Sequence, residues 1–261
     1  STVVKEFVVD YNTETFEPNL AEFAEKIGSR TKAVIINTPN NPTGVVYSAE
    51  TLTAMADILR RKQEELGTDI AIISDEPYRE LAYDGVEVPY VTKFYDNTVI
   101  CYSYSKSLSL PGERIGYLVI PDAFKDSEEV FGAAVIANRV LGSVNAPSLM
   151  QRVIMRCIDS KVNLEAYDKN RNLLYNGLKE LGFSCVKPQG AFYLFVKSPE
   201  PDEKAFCAAC KKHNILVVPG SSFACPGFVR ISYCVSYNQI ERSLPAFRKV
   251  AQEYGLCEKG E

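Results

Sequence analysis

Histidine is nearly absent from this sequence, and its scarcity excludes several familiar kinds of site. His213 is the one histidine among 261 residues, so nucleophilic schemes that pair serine or cysteine with histidine have little support. Cys207 and Cys210 are spaced as in metal sites, but the pair stands alone, and a zinc site needs about four ligands. We therefore expect no bound metal. Glycine-rich phosphate loops of the Rossmann or P-loop spacing are also missing.

Long apolar runs and an excess of positive charge are missing too. No stretch of about 18 consecutive apolar residues occurs, so we expect no membrane-spanning helix and no membrane partner. The net charge is −4 and the basic residues are scattered, which argues against a nucleic-acid partner. The eight cysteines are spaced too irregularly, in too long a chain, for a small disulfide-bonded domain. We expect free thiols and a cytoplasmic location.

Strand and helix patterns alternate over the first half of the chain. Apolar residues recur at helical spacing, as at Leu20, Phe23 and Ile27, and Ser48 is placed to cap a second helix. Short apolar runs predict strands over residues 3–9, 33–37, 70–74, 99–103 and 115–120. This alternation predicts an α/β fold with a mostly parallel sheet and helices on both faces.

Beyond Pro121 the pattern changes to long helices that are followed by short strands. Helices are predicted over 123–141, 147–158, 164–181 and 205–212, with a final helix that includes Ile240 and Ala251. Strands are predicted over 183–186, 192–196, 215–218 and 229–233. These elements predict a smaller α+β C-terminal domain. We place the boundary between residues 1–145, an incomplete large domain with the start of the connecting helices, and residues 146–261.

Three polar clusters each follow the end of a predicted parallel strand. Asn41 lies in a loop rich in proline and asparagine, Asp75 directly follows the strand over 70–74, and residues 103–106 end the strand over 99–103. Ligands of open α/β sheets bind in the crevice at the carboxyl ends of the strands. We therefore expect the three clusters to share one site.

Two of these clusters also have a purely structural interpretation. The loop around Asn41 fits a rigid turn, and the acidic pair fits a solvated strand end at which Glu76 faces water. The functional interpretation pairs Asp75 with a cationic nitrogen, because a buried strand that ends in two carboxylates otherwise incurs a desolvation cost. Tyr78, three residues further on, would donate its hydroxyl to the same ligand.

Lys106 is the candidate nucleophile. A lone lysine after a strand is usually a surface residue, but this one follows two serines at the crevice edge. Partial desolvation there favours the neutral amine that forms a Schiff base. Ser103, Ser105 and Arg114 together supply hydroxyls and a forked cation suited to a phosphate group.

Arg230 lies inside a predicted strand of the second half. An arginine in an alternating strand is more often a solvent-facing edge residue. The functional alternative is a bidentate clamp for the carboxylate of a substrate.

Taken together, five segments resemble the class I aminotransferases of fold type I, which use pyridoxal 5'-phosphate (PLP). In chain order they are Asn37-Thr-Pro-Asn-Asn-Pro-Thr-Gly44, Asp75-Glu-Pro-Tyr78, Ser103-Tyr-Ser-Lys106 with Arg114, Pro188-Gln-Gly-Ala-Phe-Tyr193 and Arg230-Ile-Ser-Tyr233. Any one of them is a weak match, whereas five in the right order are specific. The resemblance covers nearly the whole chain.

The resemblance implies a role for each candidate residue. Lys106 would hold PLP as an internal aldimine and move the substrate proton, with Asp75 and Tyr78 as the other catalytic residues. Asp75 would pair with the protonated pyridine nitrogen, and Asn41 and Tyr78 would bond the ring hydroxylate. The phosphate would be bound by Ser103, Ser105 and Arg114, and the substrate carboxylate by Arg230 with Asn41. The activity implied is a ping-pong amino acid:2-oxo acid aminotransferase.

Members of this family carry further elements upstream of the asparagine loop. These are a glycine-rich phosphate turn, an aromatic residue that stacks on PLP and an arm that reaches the dimer partner, and nothing before Asn37 matches them. We expect roughly a hundred or more residues to precede this chain and the full-length protein to be a homodimer. By itself this chain is expected to bind PLP weakly or not at all. It should also expose sheet edge and apolar surface.

Two alternatives to an aminotransferase remain open. A PLP-dependent C–S lyase or cyclopropane-forming synthase of the same fold would share Lys106, Asp75 and Arg230. A transcription regulator with an aminotransferase-like effector domain would carry a DNA-binding segment upstream. Amino transfer to 2-oxoglutarate, measured against release of pyruvate and ammonia, separates a transferase from a lyase.

Overall fold

A four-stranded sheet organises the first half of the chain. In the computed structural model, which describes residues 8–258, the strands are β1 (Ala33–Asn37), β2 (Ala71–Asp75), β3 (Thr98–Ser103) and β4 (Gly116–Val119), in that spatial order. The first three strands are parallel, as predicted, and β4 runs antiparallel to β3. Of the strand predicted over residues 3–9, residues 3–7 lie outside the described part, and Val8 and Val9 have no regular structure.

One face of this sheet is covered by the two helices predicted for the first half. They are α1 (Leu20–Lys26) and α2 (Ala49–Leu66), and each begins at a polar cap, Asn19 and Ser48, whose side chain accepts backbone N–H bonds. Phe23 and Leu59 pack with Ile36 and Ile72 in one buried cluster. On the opposite face, the side chains of Ile35 and Leu118 are 70% and 55% exposed.

The short helix α3 (Tyr104–Ser107) follows β3 and precedes β4. Two helices, α4 (Ser127–Val140) and α5 (Ser148–Cys157), lead from the sheet towards the second half. Helix α4 has no buried residue, and the boundary proposed at 145/146 falls between it and α5. No helix within residues 8–258 is both long and apolar enough to cross a bilayer.

The second half is a three-stranded antiparallel sheet with helices. Its elements are α6 (Leu164–Glu180), β5 (Tyr193–Lys197), α7 (Glu203–Lys212), β6 (Val218–Pro219), β7 (Phe228–Ser232) and α8 (Tyr237–Glu253). The strand order is β5-β7-β6, so β7 lies in the centre. The strand predicted over 183–186 is wrong, because only Cys185 makes a single bridge, to Val196. The strand predicted over 215–218 is reduced to the short β6.

The two halves are tightly packed against each other through loops. Gly44 and Gly190 lie at this junction: the carbonyl of Gly44 accepts the N–H groups of Gln189 and Gly190, at 2.8 Å each. An added Cβ at Gly190 would lie 2.6 Å from the Cβ of Pro39 and 2.8 Å from the carbonyl of Leu81. Only glycine, which has no side chain, allows this close approach. The contacts hold the loops of both halves around one crevice.

Candidate active site

The loop after β1 is braced by asparagine side chains. Asn37, the last residue of β1, donates through Nδ2 to the backbone carbonyl of Asp75 (2.9 Å) and to its Oδ2 (3.2 Å). The Oδ1 atom of Asn37 accepts the backbone N–H of Asn41 at 2.7 Å. Asn40 closes the turn by accepting from the N–H and hydroxyl of Thr43. These bonds hold Asn41 beside the end of β2, as the shared-site hypothesis requires.

Asp75 ends β2 as a half-buried carboxylate. Within residues 8–258, its side chain accepts a hydrogen bond from Asn37 alone, and none of the ion pairs includes it. Burial, and then the negative charge of Glu76, raise the pKa of Asp75 above its ordinary value. A carboxylate in this environment would be stabilised by a cationic ligand.

The neighbouring Glu76 has the opposite environment, and the interpretation that it faces water is wrong. Its side chain is 1% exposed and accepts from the hydroxyl of Ser74 at 2.8 Å. The guanidinium of Arg79 contacts it twice, at 2.7 and 2.6 Å. Both contacts go to Oε2, and Oε1 accepts from Ser74, so each carboxylate oxygen has a partner and the desolvation of the buried charge is offset. Glu76 is therefore a structural residue, and Asp75 is the one of the two acids that no cation within residues 8–258 pairs with.

Tyr78 lies under the site with the amine of Lys106 over its ring. The tyrosine is 3% exposed, and its hydroxyl is 3.3 Å from that of Tyr193. Burial, and then the hydrogen bond to Tyr193, raise the pKa of Tyr78, so its hydroxyl keeps its proton at neutral pH. The Nζ of Lys106 is 6.0 Å from the ring centroid of Tyr78 and 5.5 Å from that of Phe192.

Ser103 and Ser105 are brought together at the start of α3. The Oγ of Ser103 caps this helix by accepting the N–H of Ser105 at 3.1 Å, and the two hydroxyl oxygens are 2.7 Å apart. Arg114 is exposed, and its Nη1 donates to the carbonyl of Pro111 at 2.9 Å. Among the described residues, no hydrogen bond joins Arg114 to either serine. The structure thus brings the two hydroxyls of the predicted phosphate site together, whereas Arg114, its predicted third residue, bonds within its own loop.

Arg230 is a half-buried residue of the central strand β7, so the solvent-facing edge interpretation is wrong. Its Nη1 donates to Oδ1 of Asn41 at 2.9 Å. The guanidinium carbon lies 4.3 Å from the ring centroid of Tyr193 and 4.6 Å from that of Phe223. Its Nε is buried without a hydrogen bond, and no carboxylate of the described residues pairs with it. This cation therefore has donors available for an anionic ligand.

The bond from Arg230 also fixes the orientation of the Asn41 amide. Arginine can only donate, so the contacting atom of Asn41 must be its oxygen. The NH2 group of Asn41 has no acceptor in the part of the chain that the structure describes. Asn41 therefore links Arg230 to the end of β1 and keeps a donor for a ligand.

Four residues to which the sequence analysis gave no role also belong to this site. Asn37 is the register partner of Asp75 in the sheet, and this position at the end of β1 was the available sequence signal. Phe192 and Tyr193 lay within one of the quoted segments, but nothing in their spacing indicated which residues they contact. Phe223 had no such signal, because it comes from the turn Gly220–Phe223.

Comparisons with known proteins point to one family. The family model described as aminotransferase class I and II matches residues 4–247. An aspartate aminotransferase of Thermotoga maritima is 32% identical over 91% of this chain, and an aromatic-amino-acid aminotransferase of Thermococcus litoralis is 30% identical over 95%. The chain spans 60% and 64% of the lengths of these two relatives.

Solved structures agree with the sequence matches. An aminotransferase of Eubacterium rectale superposes with a TM-score of 0.91 at 52% identity, over 94% of this chain and 62% of its own. The aspartate aminotransferase of Thermus thermophilus with maleate gives a TM-score of 0.79 at 30% identity, over 91% of this chain and 61% of its own. The sheet, the connecting helices and the second half of this chain therefore have counterparts in these enzymes.

Proposed function

This chain belongs to the aminotransferase class I and II family, and we propose that the protein containing it transfers amino groups between amino acids and 2-oxo acids with PLP as its cofactor. The observation that carries the proposal is a pair of opposite charges held close to one buried tyrosine. Asn37 and Asn41 link Asp75 to Arg230 by hydrogen bonds, and neither charge has an ion-pair partner among the described residues. The amine of Lys106 lies on the ring of the same tyrosine.

The residues present fit PLP. The carboxylate of Asp75 suits a protonated ring nitrogen, because it is half-buried and no cation of the described part of the chain pairs with it. The free NH2 of Asn41 and the hydroxyl of Tyr78 suit the ring oxygen as donors. When bound, PLP supplies the electron sink that accepts the charge left at the substrate Cα.

The phosphate group would be held at the start of α3. Ser103 and Ser105 present two hydroxyls 2.7 Å apart, and Arg114 uses only one N–H, at Pro111, among the described contacts. The remaining donors of this guanidinium suit a phosphate oxygen pair. We therefore keep all three residues in the proposed phosphate site.

The remaining residues bind and orient the substrate. Arg230 would take the carboxylate of the amino acid on its unused donors, and its tie to Asn41 fixes the plane of the guanidinium. Lys106 would remove the proton from the substrate Cα and return it on the cofactor side. The cycle would be ping-pong: the first amino acid would leave its amino group on the cofactor and depart as a 2-oxo acid, and a second 2-oxo acid would then bind and take up that group.

The proposal is tested by replacing Lys106 with alanine in the full-length protein. We expect Lys106→Ala to lose the visible absorbance of the lysine-bound cofactor and at least about a hundredfold of the rate of Cα proton exchange, since general base catalysis contributes about 10²–10⁴-fold. Lys211→Ala, which removes an exposed lysine of α7, is the matched control and should behave as the parent. Amino transfer that persists in Lys106→Ala would end the assignment.

The products distinguish this proposal from its lyase alternative. Transfer to 2-oxoglutarate, with no release of ammonia, is the expected result for the unmodified protein. Release of pyruvate and ammonia from a sulfur-containing amino acid would instead show a C–S lyase that shares the same cofactor site.

A homodimer of the full-length protein is part of the proposal. Four apolar side chains of α4 and α5 are 61–69% exposed, which is unusual for a surface that stays uncovered. They are Phe131, Ile136, Leu149 and Met155. Light scattering on the full-length protein should give twice the chain mass, and a monomeric mass at micromolar concentration would contradict the proposal.

A further inference from the structure

Tyr193, the first residue of β5, contacts two residues of the proposed site with two different parts of its side chain. Its hydroxyl oxygen is 3.3 Å from that of Tyr78. Its ring centroid is 4.3 Å from the guanidinium carbon of Arg230. The register of the small sheet explains the second contact: Arg230 pairs with Phe195 in the neighbouring strand, so it is a diagonal neighbour of Tyr193 on the same face.

The position of Tyr193 is fixed by its surroundings. The residue is 8% exposed, and its ring packs against those of Phe192, with centroids 4.7 Å apart, and Tyr78, with centroids 6.0 Å apart. Just upstream, the carbonyl of Ala191 accepts the hydroxyls of Tyr83 (2.6 Å) and Tyr233 (3.2 Å). The hydroxyl of Tyr193 is thus held in place before any ligand arrives, which is what a positioning residue requires.

The hydroxyl contact has a directional consequence. Each phenol carries a single O–H donor. In the structure the hydroxyl of Tyr78 donates to that of Tyr193. If Tyr78 instead donates its hydrogen to the ring oxygen of PLP, its O–H must turn, and the hydrogen shared between the two phenols must then come from Tyr193. A phenol that accepts a hydrogen bond becomes a stronger donor in turn. The hydroxyl of Tyr193 should therefore strengthen the bond from Tyr78 to the cofactor.

The ring contact acts on a different ligand. Arg230 is held between the faces of Tyr193 and Phe223, and its only hydrogen bond among the described residues goes to Asn41. Stacking on two rings restricts the plane of the guanidinium, and cation–π attraction stabilises it there. The ring of Tyr193 should therefore affect carboxylate binding, whereas its hydroxyl should not.

We propose that Tyr193 is a positioning residue with two separable effects: its hydroxyl sets the donor strength of Tyr78 towards the cofactor, and its ring orients Arg230 towards the substrate carboxylate. This inference rests on the proposed function. The proposed function is tested by amino transfer, whereas this inference is tested by the pH midpoint of the cofactor's absorbance and by the binding of a substrate analogue.

Two variants of the full-length, PLP-loaded protein separate the effects. Tyr193→Phe removes the hydroxyl and keeps the ring, whereas Tyr193→Leu removes both. The charged groups around Tyr78, namely Asp75, Lys106 and Arg230, stay unchanged in each variant. The first readout is the pH midpoint of the cofactor's visible absorbance, and the second is the dissociation constant of an α-methyl amino acid, which binds but has no Cα proton to lose.

We expect the absorbance midpoint of Tyr193→Phe to rise by about 0.1–0.7 pH unit, because one hydrogen bond strengthens the next by about 10–30% and the bond from Tyr78 to a charged oxygen is the one that weakens. The sign follows because a less stabilised ring oxygen holds the proton that it shares with the Lys106 nitrogen more tightly. The dissociation constant of the analogue should stay within about twofold of the parent value. Tyr193→Leu should show the same midpoint shift together with a rise of about 5- to 30-fold in that constant, from the lost cation–π contact.

Two further variants keep the proposal falsifiable. Phe223→Leu removes the other ring from Arg230 and should weaken analogue binding without moving the midpoint. Tyr237→Phe, an exposed tyrosine of α8, is the control and should change neither. An unchanged midpoint in Tyr193→Phe overturns the hydroxyl role, and unchanged binding in Phe223→Leu and Tyr193→Leu overturns the ring role. If Tyr193→Leu does not fold, Tyr193→Phe and Phe223→Leu decide by themselves.

Failure of this inference is distinguishable from failure of the proposed function. If the parent transfers amino groups and Lys106→Ala does not, the function stands whatever the Tyr193 variants show. If the parent binds no PLP, the absorbance has no midpoint to measure, and the proposed function fails together with this inference.

Discussion

Replacement of Arg230 by lysine tests the substrate side of the site most directly. The guanidinium lies between two aromatic rings, donates to Asn41 and has no carboxylate partner among the described residues. Lysine keeps the positive charge but lacks the planar fork, so it cannot present two parallel N–H groups to a carboxylate while it also keeps the bond to Asn41. The substitution therefore isolates geometry from charge.

The size of the effect follows from the bonds that are lost. One hydrogen bond to a charged group contributes about 1.5–3 kcal/mol, and each 1.4 kcal/mol is about a tenfold change in affinity. We therefore expect Arg230→Lys to raise KM for the amino donor by about 10- to 100-fold. A smaller fall in kcat should accompany it, because the charge still attracts the carboxylate.

Steady-state kinetics with a saturating 2-oxo acid, together with binding of the α-methyl analogue, measure this effect. The matched control is Arg242→Lys, which changes an exposed arginine of α8 and should leave both constants unchanged. A KM within about twofold of the parent value in Arg230→Lys would refute the argument, because the carboxylate would then be bound by another residue.

Two further predictions concern the acid and the loop junction. Asp75→Asn should lower turnover of the PLP-loaded protein by about a hundredfold or more through loss of a preorganised charge, yet stabilise the PLP-free protein at pH 7. The pKa of Asp75 is raised in the folded state, so the wild type loses stability as the pH rises from the ordinary pKa to the raised one, whereas Asp75→Asn does not. The melting temperatures of both proteins are measured from pH 3 to 7, and a difference between them that stays constant would contradict this. Gly190→Ala should cost about 1–3 kcal/mol of unfolding free energy by overpacking against Pro39 and Leu81. Gly112→Ala, where an added Cβ meets nothing within 4 Å, is its control in urea denaturation, and equal stability of the two variants would disprove the crowding.

Local features of the fold could be predicted because each depends on a short segment. The strand predicted over 33–37 coincides with β1, and Ser48 caps α2 as expected. Both follow from apolar periodicity and from the hydrogen-bonding capacity of a polar cap. The strand predicted over 183–186 failed because periodicity cannot show whether a neighbouring strand is available for pairing.

The candidate site could be predicted in its composition and only partly in its arrangement. The rule that ligands bind at the carboxyl ends of parallel strands brought Asn41 and Asp75 together correctly. It could not show that Glu76 turns inward to Arg79 while Asp75 has no cation among the described residues, since both acids lie within four residues of Arg79 and only the path of the backbone after β2 decides which of them it meets. Nor could it show that Arg114 donates to Pro111.

The sequence by itself determined which chemical groups are available and at which strand ends they lie, because short-range periodicity, caps and motif order are written in neighbouring residues. Only the tertiary structure decided how those groups meet across the chain. Arg230 and Asn41 are 189 residues apart, and Tyr193 and Tyr78 are 115 apart. Such contacts arise where the two sheets pack against each other through loops that contain Gly44 and Gly190, and no single segment carries that information.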